Sequence, residues 1–284
     1  MTVRQPLRGV AWMVVAQALF AIMALGGRLS GRELPWQEVA GSRFLVGALT
    51  ALAVARLRGS SLRVTRKREA WIRSGFGTLA AAGTFYVLAA PGLAIGDAVT
   101  LFATSPIFVA LFSWPLLGEP VRRNVGIAIA LAFAGIIAVA RPSFQTSGHL
   151  VVAGALVALC SGLAMIWLRR IGPSETSEAI VLHFSTIGFV VMLLLSIPVW
   201  KTPDAHGGAL LLVTGFSGGL GQLAMTRAYS LDHAARVSAV QYTGVVITRL
   251  LAFPVFGEVP TAVQVAGSLL VILAGVILAL PRRA

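Results

Sequence analysis

"SWPLLGEP" at Ser113–Pro120 and "AFPVFGEV" at Ala252–Val259 are two copies of one pattern, a proline followed by apolar residues and a Gly-Glu pair. The two glutamates, Glu119 and Glu258, lie 139 residues apart. The chain has 284 residues and only 10 acidic ones, so an acidic residue repeated within apolar sequence calls for an explanation. It marks either a functional pair or one structural position that occurs twice.

Other identical residues recur at nearly the same spacing, 139 or 140 positions, along the whole chain. They are Glu38 and Glu178, Phe44 and Phe184, Gly75 and Gly215, and Pro115 and Pro254. A drift of one residue over this distance is the size of a single loop deletion. The sequence therefore predicts two copies of one unit, residues 1–145 and 146–284.

The composition is that of a membrane protein. Charged residues make up 12% of the chain and hydrophobic residues 57%, whereas soluble domains carry about 25% charged residues. Apolar stretches of about 20 residues, long enough to cross roughly 30 Å of hydrocarbon, recur from end to end. Ten helices are predicted, over residues 7–29, 36–57, 70–90, 95–117, 121–140, 149–170, 177–200, 207–230, 234–256 and 260–280.

The number of helices in each copy decides how the copies are related. Five is odd, so the second copy enters the membrane from the side opposite to the first. The predicted fold class is an all-α integral membrane protein, with ten transmembrane helices in two inverted five-helix repeats. Such repeats are the architecture of alternating-access carriers, in which exchange of the two halves' conformations opens a central site to the other side.

The net charge of +13 is explained by membrane topology and not by nucleic-acid binding. If the N-terminus is cytoplasmic, 17 of the 23 Lys and Arg residues, Arg73 among them, lie on the cytoplasmic side. The remaining ones are Arg28, Arg32, Arg141 and Lys201 on the outside, and Arg43 and Arg249 within helices. This asymmetry is the positive-inside pattern. It predicts a multi-pass protein in the lipid bilayer with both termini in the cytoplasm.

The sequence resembles the EamA type of the drug/metabolite transporter superfamily over essentially its whole length. The resemblance rests on the ten helices in two halves, on "GSRFLVGALTAL" at residues 41–52 and on "SPIFVALFSWPLLGE" at residues 105–119. The second half departs from it, with Gly244 and Val245 in place of Ser105 and Pro106. The chain length and the overall residue pattern are also similar to those of the YddG-type amino-acid exporters. The resemblance implies efflux of small metabolites across the bacterial inner membrane.

The two Gly-Glu corners have a structural and a functional interpretation. Gly118 and Gly257 can each end a helix in a left-handed conformation. Glu119 and Glu258 then meet the free N–H groups of the following helix, which favour a carboxylate. Proton coupling by the two glutamates is the functional alternative.

Arg43 and His183 occupy equivalent positions in the two copies. An arginine within a membrane helix is costly unless it faces a polar interior. Arg43 is a candidate to bind a substrate carboxylate through two hydrogen bonds; an ion pair with Glu38 or a side chain reaching the outer surface are its alternatives. His183 either binds substrate, titrates near neutral pH or is hydrogen-bonded to a neighbour. No second histidine stands at metal spacing in that helix, so no metal site is predicted.

Pro106 cannot donate a hydrogen bond to the carbonyl of Phe102, which predicts a kink near the middle of the bilayer beside Thr104 and Ser105. The kink lines a cavity, acts as a hinge or serves packing. Further polar and aromatic residues within the helices are candidate cavity residues, with helix packing as the alternative: Gln17, Tyr86, Ser161, Trp167, Gln222, Gln241 and Tyr242. A mostly apolar lining suits an apolar or aromatic amino acid better than a sugar or a phosphate ester.

Other functional classes lack their motifs. The sequence has no HExxH, GxSxG or Walker-type loop, so no enzyme, no ATP-driven pump and no cofactor are predicted. A channel would more often carry a polar stripe or a charged ring. The sequence predicts a secondary carrier, compatible with a monomer, that exports amino acids or related small molecules. A multidrug exporter of the same fold is the alternative.

Overall fold

Helices form nearly all of the structure. The computed structural model describes residues 6–89, 95–143, 147–256 and 261–279, and no strand occurs among them. The helices of these residues are α1 Pro6–Ser30, α2 Trp36–Arg58, α3 Lys67–Ala89, α4 Ile95–Phe102, α5 Ser105–Leu117, α6 Arg123–Ala140, α7 Gly148–Ile171, α8 Ser177–Ser196, α9 Ala205–Leu231, α10 Ala234–Val240, α11 Thr243–Phe256 and α12 Ala262–Ala279. A 3₁₀ turn at Ile197–Val199 follows α8.

The helix predicted over residues 95–117 is two helices, α4 and α5, which are separated at Ala103 and Thr104. Pro106 lies in the first turn of α5, where its missing N–H removes no helical hydrogen bond. The side chain of Thr104 donates to the Leu101 carbonyl oxygen at 2.6 Å. The prediction of a kink within one helix is therefore wrong: the proline starts a new helix instead of bending an old one.

A second break, which the sequence did not predict, divides residues 234–256 into α10 and α11 at Gln241 and Tyr242. No proline marks it. The two breaks touch, because the hydroxyl of Tyr242 donates to the carbonyl oxygen of Ala103 at 2.8 Å. When α4 is joined to α5 and α10 to α11, the ten helices of the prediction are recovered.

The first Gly-Glu corner ends α5. Gly118 has a φ of 67°, in the left-handed region, and its N–H donates to the Trp114 carbonyl oxygen at 2.9 Å. The N–H of Glu119 donates to the Ser113 carbonyl oxygen at 3.1 Å. The bond from Gly118 is the single 5→1 bond of an αL cap. The second corner, Gly257 and Glu258, lies outside the described residues.

Seven segments of the described residues are long and apolar enough to cross a membrane as helices, and one of them runs through both α4 and α5. They are Leu7–Ser30, Trp36–Arg58, Ala98–Leu117, Arg123–Ala140, Gly148–Ile171, Ser177–Val199 and Ala205–Leu231. Large apolar side chains cover their outer faces, as at Trp114 and Leu194, which are 65% and 63% exposed. An apolar exterior of this kind is suited to lipid, and the chain is a multi-pass membrane protein.

Helices from the two parts of the chain pack against each other in a repeated plan. α1 packs against α9 as α7 packs against α3, and α1 packs against α11 as α7 packs against α5. α2 and α8 contact each other, as do α6 and α12. When α1 to α6 are relabelled as α7 to α12 and the reverse, each of these helix pairs maps onto itself or onto another of these pairs. The space between the two sets of helices is therefore lined by both.

α6 and α12 approach each other closely at Gly135 and Gly267. A Cβ atom on either glycine would lie 2.6 Å from the carbonyl oxygen of the other, which is closer than real Cβ contacts. Small residues at such crossings let helix backbones meet in membranes. This crossing is held by backbone contact and cannot accept a side chain without a shift of one helix.

Replacing Gly267 with alanine is expected to lower the free energy of unfolding by about 1–3 kcal/mol, the usual cost of overpacking. Gly126→Ala on α6 is the matched control, because a Cβ at Gly126 meets nothing within 4 Å. Thermal unfolding of the two purified variants in detergent measures the difference. Equal stability of both would show that α6 and α12 separate at little cost.

Candidate functional site

A cavity of about 280 Å³ lies between the two sets of helices, with lining residues from α1, α2, α3, α7, α8 and α9. We call it the arginine cavity. Its polar lining residues are Arg43, Arg73, Thr84, Ser161 and Gln222, and the others are apolar, aromatic or glycine. None of its lining residues is acidic. The cavity therefore carries two positive charges and no negative one, since arginine stays protonated in proteins.

Arg43 enters this cavity from α2. Its guanidinium lies 5.3 Å from the ring centroid of Phe44, and it has no carboxylate partner within the described residues. Glu38 accepts a hydrogen bond from the backbone N–H of Lys201 instead. Gly218 makes room for the arginine, because a Cβ there would lie 3.2 Å from Arg43 Cγ. The structure thus places Arg43 on the cavity and does not pair it with Glu38.

Arg73 enters the same cavity from α3 and was missed as a site residue by the sequence analysis. The sequence assigns it to the cytoplasmic charges, but its side chain is within the helix bundle and the residue is 1% exposed. Its guanidinium stacks on the ring of Phe184 with 3.7 Å between Cζ and the ring centroid. The sequence does contain a signal for this site. Arg73 lies two residues beyond Trp71 and is therefore already inside a predicted helix.

Gln222, on α9, completes the polar lining and is 4% exposed. Its Nε2 atom has no hydrogen-bond partner among the described residues, and neither do Nε and Nη1 of Arg73. All three atoms are donors. Buried donors without acceptors are unfavourable, so this cavity is chemically suited to a ligand rich in acceptor oxygens.

A second and larger cavity, of about 530 Å³, adjoins the first at Phe20, which lines both. We call it the glutamine cavity, after Gln17, Gln241 and Gln264 in its lining. The amide nitrogen of Gln241 donates to the Tyr229 hydroxyl at 2.7 Å. The Gln241 amide is thus engaged with a protein partner.

Arg249 belongs to the same cavity and donates to Oε1 of Gln264 at 2.9 Å. Gln264 in turn donates to the Val139 carbonyl oxygen at 3.2 Å. This chain of bonds joins α11, α12 and the end of α6. It fixes the arginine to the wall of the cavity.

The structure brings four of the predicted cavity residues besides Arg43 to these cavities. Ser161 and Gln222 line the arginine cavity, and Gln17 and Gln241 line the glutamine cavity. The others lie elsewhere in the structure: Tyr86, Thr104, Ser105, Pro106, Trp167, His183 and Tyr242. Tyr86 is 54% exposed.

His183 makes contacts with protein neighbours. Its Nδ1 atom lies 2.9 Å from the Ser74 hydroxyl, and its ring meets Trp71 edge to face at 5.2 Å. Within the described residues there is no group of three or more His, Cys, Asp or Glu side chains that could hold a metal ion. The contacts of His183 orient it beside α3, where Arg73 lies one residue before its Ser74 partner.

At one end of the bundle, Glu119 joins α5 to α7 and to the start of α10. Its Oε1 lies 2.9 Å from both Nε and Nη2 of Arg169. Its Oε2 accepts from the N–H of Ala234 at 2.9 Å and lies 3.3 Å from Nδ1 of His233. Arg169 also donates to the carbonyl oxygen of Tyr229 at 2.9 Å. We call Glu119, Arg169, His233 and the Ala234 N–H the Glu119 cluster.

The Glu119 carboxylate is held in its ionised form. Burial opposes ionisation, but the hydrogen bond with His233, the charge of Arg169 and the N–H of Ala234 outweigh it and lower the pKa of Glu119 to about 2. The prediction that Glu119 caps the following helix is therefore wrong: its carboxylate accepts from the first N–H group of α10, across the bundle, and α6 has no side-chain cap. The cluster crosses between the two sets of helices.

Other bonds cross at the same end. Glu175, in the loop after α7, accepts from the backbone N–H groups of Thr65 and Arg66 at 2.9 and 2.8 Å. Burial raises the pKa of Glu175. The hydrogen bonds with Thr65 and Arg66 and the charge of Arg66 lower it by more than burial raises it, so the net shift is downward. Glu178 pairs with Arg58 at 3.4 Å. This end of the bundle is held together by carboxylates of one half and groups of the other.

Stability is expected to fall as the pH is lowered from about 4.5 towards 2. Glu119 is ionised in the folded protein down to a pKa of about 2, against 4.5 ordinarily, so the stability it adds is complete above pH 4.5 and lost as protons bind. Thermal unfolding across this pH range, for the wild type and for Glu119→Gln, checks the prediction. The variant should show a shallower decline of stability with falling pH. Some decline should remain, because the pKa of Glu175 is also lowered. Parallel curves would contradict the assignment.

A multi-pass helical protein with polar cavities between two packed sets of helices has the construction of a membrane transport protein. The chain belongs to the EamA-like transporter family, which it matches over residues 7–141 and again over residues 148–280. It is therefore a transporter and not an enzyme. Family membership agrees with the resemblance seen in the sequence.

Named relatives cover almost the whole chain. The chain is 28% identical to the pseudopaline exporter CntI of Pseudomonas aeruginosa over 268 residues, which cover 94% of each protein. It is 24% identical to the riboflavin transporter of Vibrio cholerae and 21% identical to the S-adenosylmethionine uptake transporter of Rickettsia prowazekii, over 94% of this chain in each case and 91% and 90% of those proteins. A crystal structure with 17% identity superimposes with a TM-score of 0.81, covering 95% of this chain and 98% of the other. The fold is thus shared with a solved structure, and the named relatives are transporters.

Proposed function

We propose that this protein is a secondary carrier that exports small carboxylated metabolites, amino acids in particular, from the cytoplasm by alternating access. The observation that carries the proposal is the arginine cavity, a space between both sets of helices that is lined by Arg43, Arg73 and Gln222, the last two with three buried donors that have no partner among the described residues. A carboxylate supplies the acceptors that these groups lack. The remaining lining, which includes Phe20, Met23 and Phe85, suits an apolar or aromatic side chain.

The two halves, residues 1–145 and 146–284, act in this proposal as inverted repeats. Two separate matches to one family and the exchangeable packing of α1 to α6 with α7 to α12 support a duplication. Five helices in each half would put the copies in opposite orientations. Rocking of one set against the other would expose the cavities to each side in turn.

The Glu119 cluster marks the cytoplasmic end in this proposal. Basic residues concentrate at that end, as the positive-inside rule requires. The glutamine cavity reaches towards the other end, where α1 and α6 finish and α12 begins, through Arg28, Ala140 and Gln264. A closed cytoplasmic end with a cavity towards the outside corresponds to an outward-facing state, from which an exported molecule is released.

Transport into proteoliposomes tests the proposal. Purified protein is reconstituted with unlabelled amino acid inside, and uptake of the same radiolabelled amino acid is followed for phenylalanine, leucine, glutamine and glutamate. Saturable uptake that depends on the internal amino acid is the expected result. Uptake of cationic dyes, with none for any amino acid, would replace the proposal by a multidrug exporter.

The direction of transport needs a separate measurement, because the named relatives include both an exporter and an uptake transporter. Cells that produce the protein are preloaded with the labelled amino acid and washed. Faster loss of label than in cells without the protein supports export. Faster uptake from the medium with unchanged loss would contradict it.

A further inference from the structure

We propose that Arg73 forms a second anion site beside Arg43, so that the protein prefers substrates that carry two acidic groups. The inference rests on the proposed function of the arginine cavity and names the substrate class of that cavity. Its first support is charge. Two guanidinium groups line one cavity of about 280 Å³ that has no acidic lining residue. A substrate with a single carboxylate neutralises only one of them.

The second support is the hydrogen bonding of Arg73. Although 99% of the residue is buried, Nε and Nη1 of Arg73 have no partner within the described part of the chain. A buried cation that lacks both a counterion and hydrogen-bond acceptors is strongly unfavourable. A carboxylate can pair with one edge of the guanidinium, through Nε and Nη2 or through Nη1 and Nη2, and so supplies a counterion together with an acceptor for one of these two atoms.

The third support is the way in which the guanidinium is fixed. One face lies on the Phe184 ring, 3.7 Å from its centroid, so its N–H groups point sideways, in the plane of the guanidinium. Gly77 leaves the room for this stack, since a Cβ there would lie 2.8 Å from Phe184 Cε2 and 3.1 Å from Arg73 Nη1. The side chain is thus preorganised at the wall of the cavity before any ligand arrives.

The two arginines differ in depth, which separates their roles. Arg43 is partly exposed, whereas Arg73 is buried against α8. We assign the carboxylate common to all amino acids to Arg43 and a second, terminal carboxylate to Arg73. The cavity volume lies just below the usual range of about 300–1,000 Å³ for ligand sites, which fits a molecule of the size of glutamate.

Glutamate and glutamine are the matched probes, because they have nearly the same shape and differ in one carboxylate. In proteoliposome counterflow, the wild type should carry glutamate with roughly tenfold or greater preference over glutamine, the ratio expected for one charge-assisted contact. Arg73→Gln should remove this preference, because glutamate transport should fall roughly tenfold more than glutamine transport. Arg68→Gln, on an exposed residue of the same helix, is the control and should keep the preference.

A measurement without variants covers the case in which Arg73→Gln fails to fold. The thermal unfolding temperature of the wild type is compared in succinate and in butyrate, which have four carbons each but two and one carboxylates. A larger rise with succinate supports the second anion site. Equal effects, or equal transport of glutamate and glutamine, overturn it. If leucine and phenylalanine are carried but glutamate is not, the amino-acid carrier stands and the second site falls; if no carboxylated compound is carried, both fall.

Discussion

Replacing Arg43 with glutamine is expected to lower transport of every amino acid by roughly 10- to 100-fold, glutamate and glutamine alike. A hydrogen-bonded pair between charged groups contributes about 1.5–3 kcal/mol, which corresponds to this range. Arg43 is assigned to the carboxylate that all amino acids share. The loss should therefore be uniform across substrates, in contrast to the selective loss expected for Arg73→Gln. Counterflow rates for a panel of amino acids measure it.

The control for Arg43→Gln is Arg56→Gln, which removes a charge from an exposed position of the same helix. It should transport like the wild type. Arg43→Lys keeps the charge but loses the planar pair of donors, so an intermediate rate is expected. Gel filtration shows whether each variant is folded. A variant Arg43→Gln that is folded and transports at the wild-type rate would exclude this arginine from substrate binding.

Replacing Glu119 with glutamine is expected to lower the free energy of unfolding by about 3 kcal/mol, because it leaves Arg169 without its carboxylate in a mostly buried place. The amide oxygen can still accept from the Ala234 N–H, so the loss should fall at the lower end of the range for a broken buried pair. Thermal unfolding measures this effect. Glu33→Gln, on an exposed residue, is the control and should unfold like the wild type.

The same variant should open the end of the bundle that carries the Glu119 cluster, which we assign to the cytoplasm. Ser161 lines the arginine cavity and can report on access when it is replaced by cysteine in a Cys160→Ser background. In inside-out vesicles, a membrane-impermeant maleimide should label Ser161→Cys faster when Glu119→Gln is also present. Unchanged labelling, together with a lower unfolding temperature, would show that the cluster stabilises the protein without closing it.

The helical architecture could be predicted from the sequence because its determinants are local. Apolar runs between turn residues predict most helix bounds to within a few residues, and the proline and glycine around Pro106 and Gly118 mark where α5 begins and ends. The second break, at Gln241 and Tyr242, has no proline, and the nearby Gly244 alone does not predict it. It is stabilised by partners from other helices, as in the bond from Tyr242 to Ala103, and these contacts are invisible in a single sequence.

The candidate site could be predicted only in part. Arg43, Ser161 and Gln222 are recognisable as polar residues within apolar helices, and they do meet at one cavity. Arg73 resembles a cytoplasmic charge, because it lies near other basic residues at the start of α3. Its role depends on Phe184, which is distant in sequence. Glu119 was expected to contact its own following helix, but its partners Arg169 and His233 come from elsewhere in the chain.

The bond between the two helix breaks has a consequence for biogenesis. Ala103 belongs to the half of the chain that is synthesised first. Its carbonyl oxygen accepts the hydrogen bond from Tyr242 only when that residue, 139 positions later, is in place. Until then, a polar backbone group would sit within the hydrocarbon layer, where an unsatisfied carbonyl is costly. The first half should therefore be a poor folding unit by itself. This carbonyl can therefore be paired with Tyr242 only after most of the chain has been synthesised.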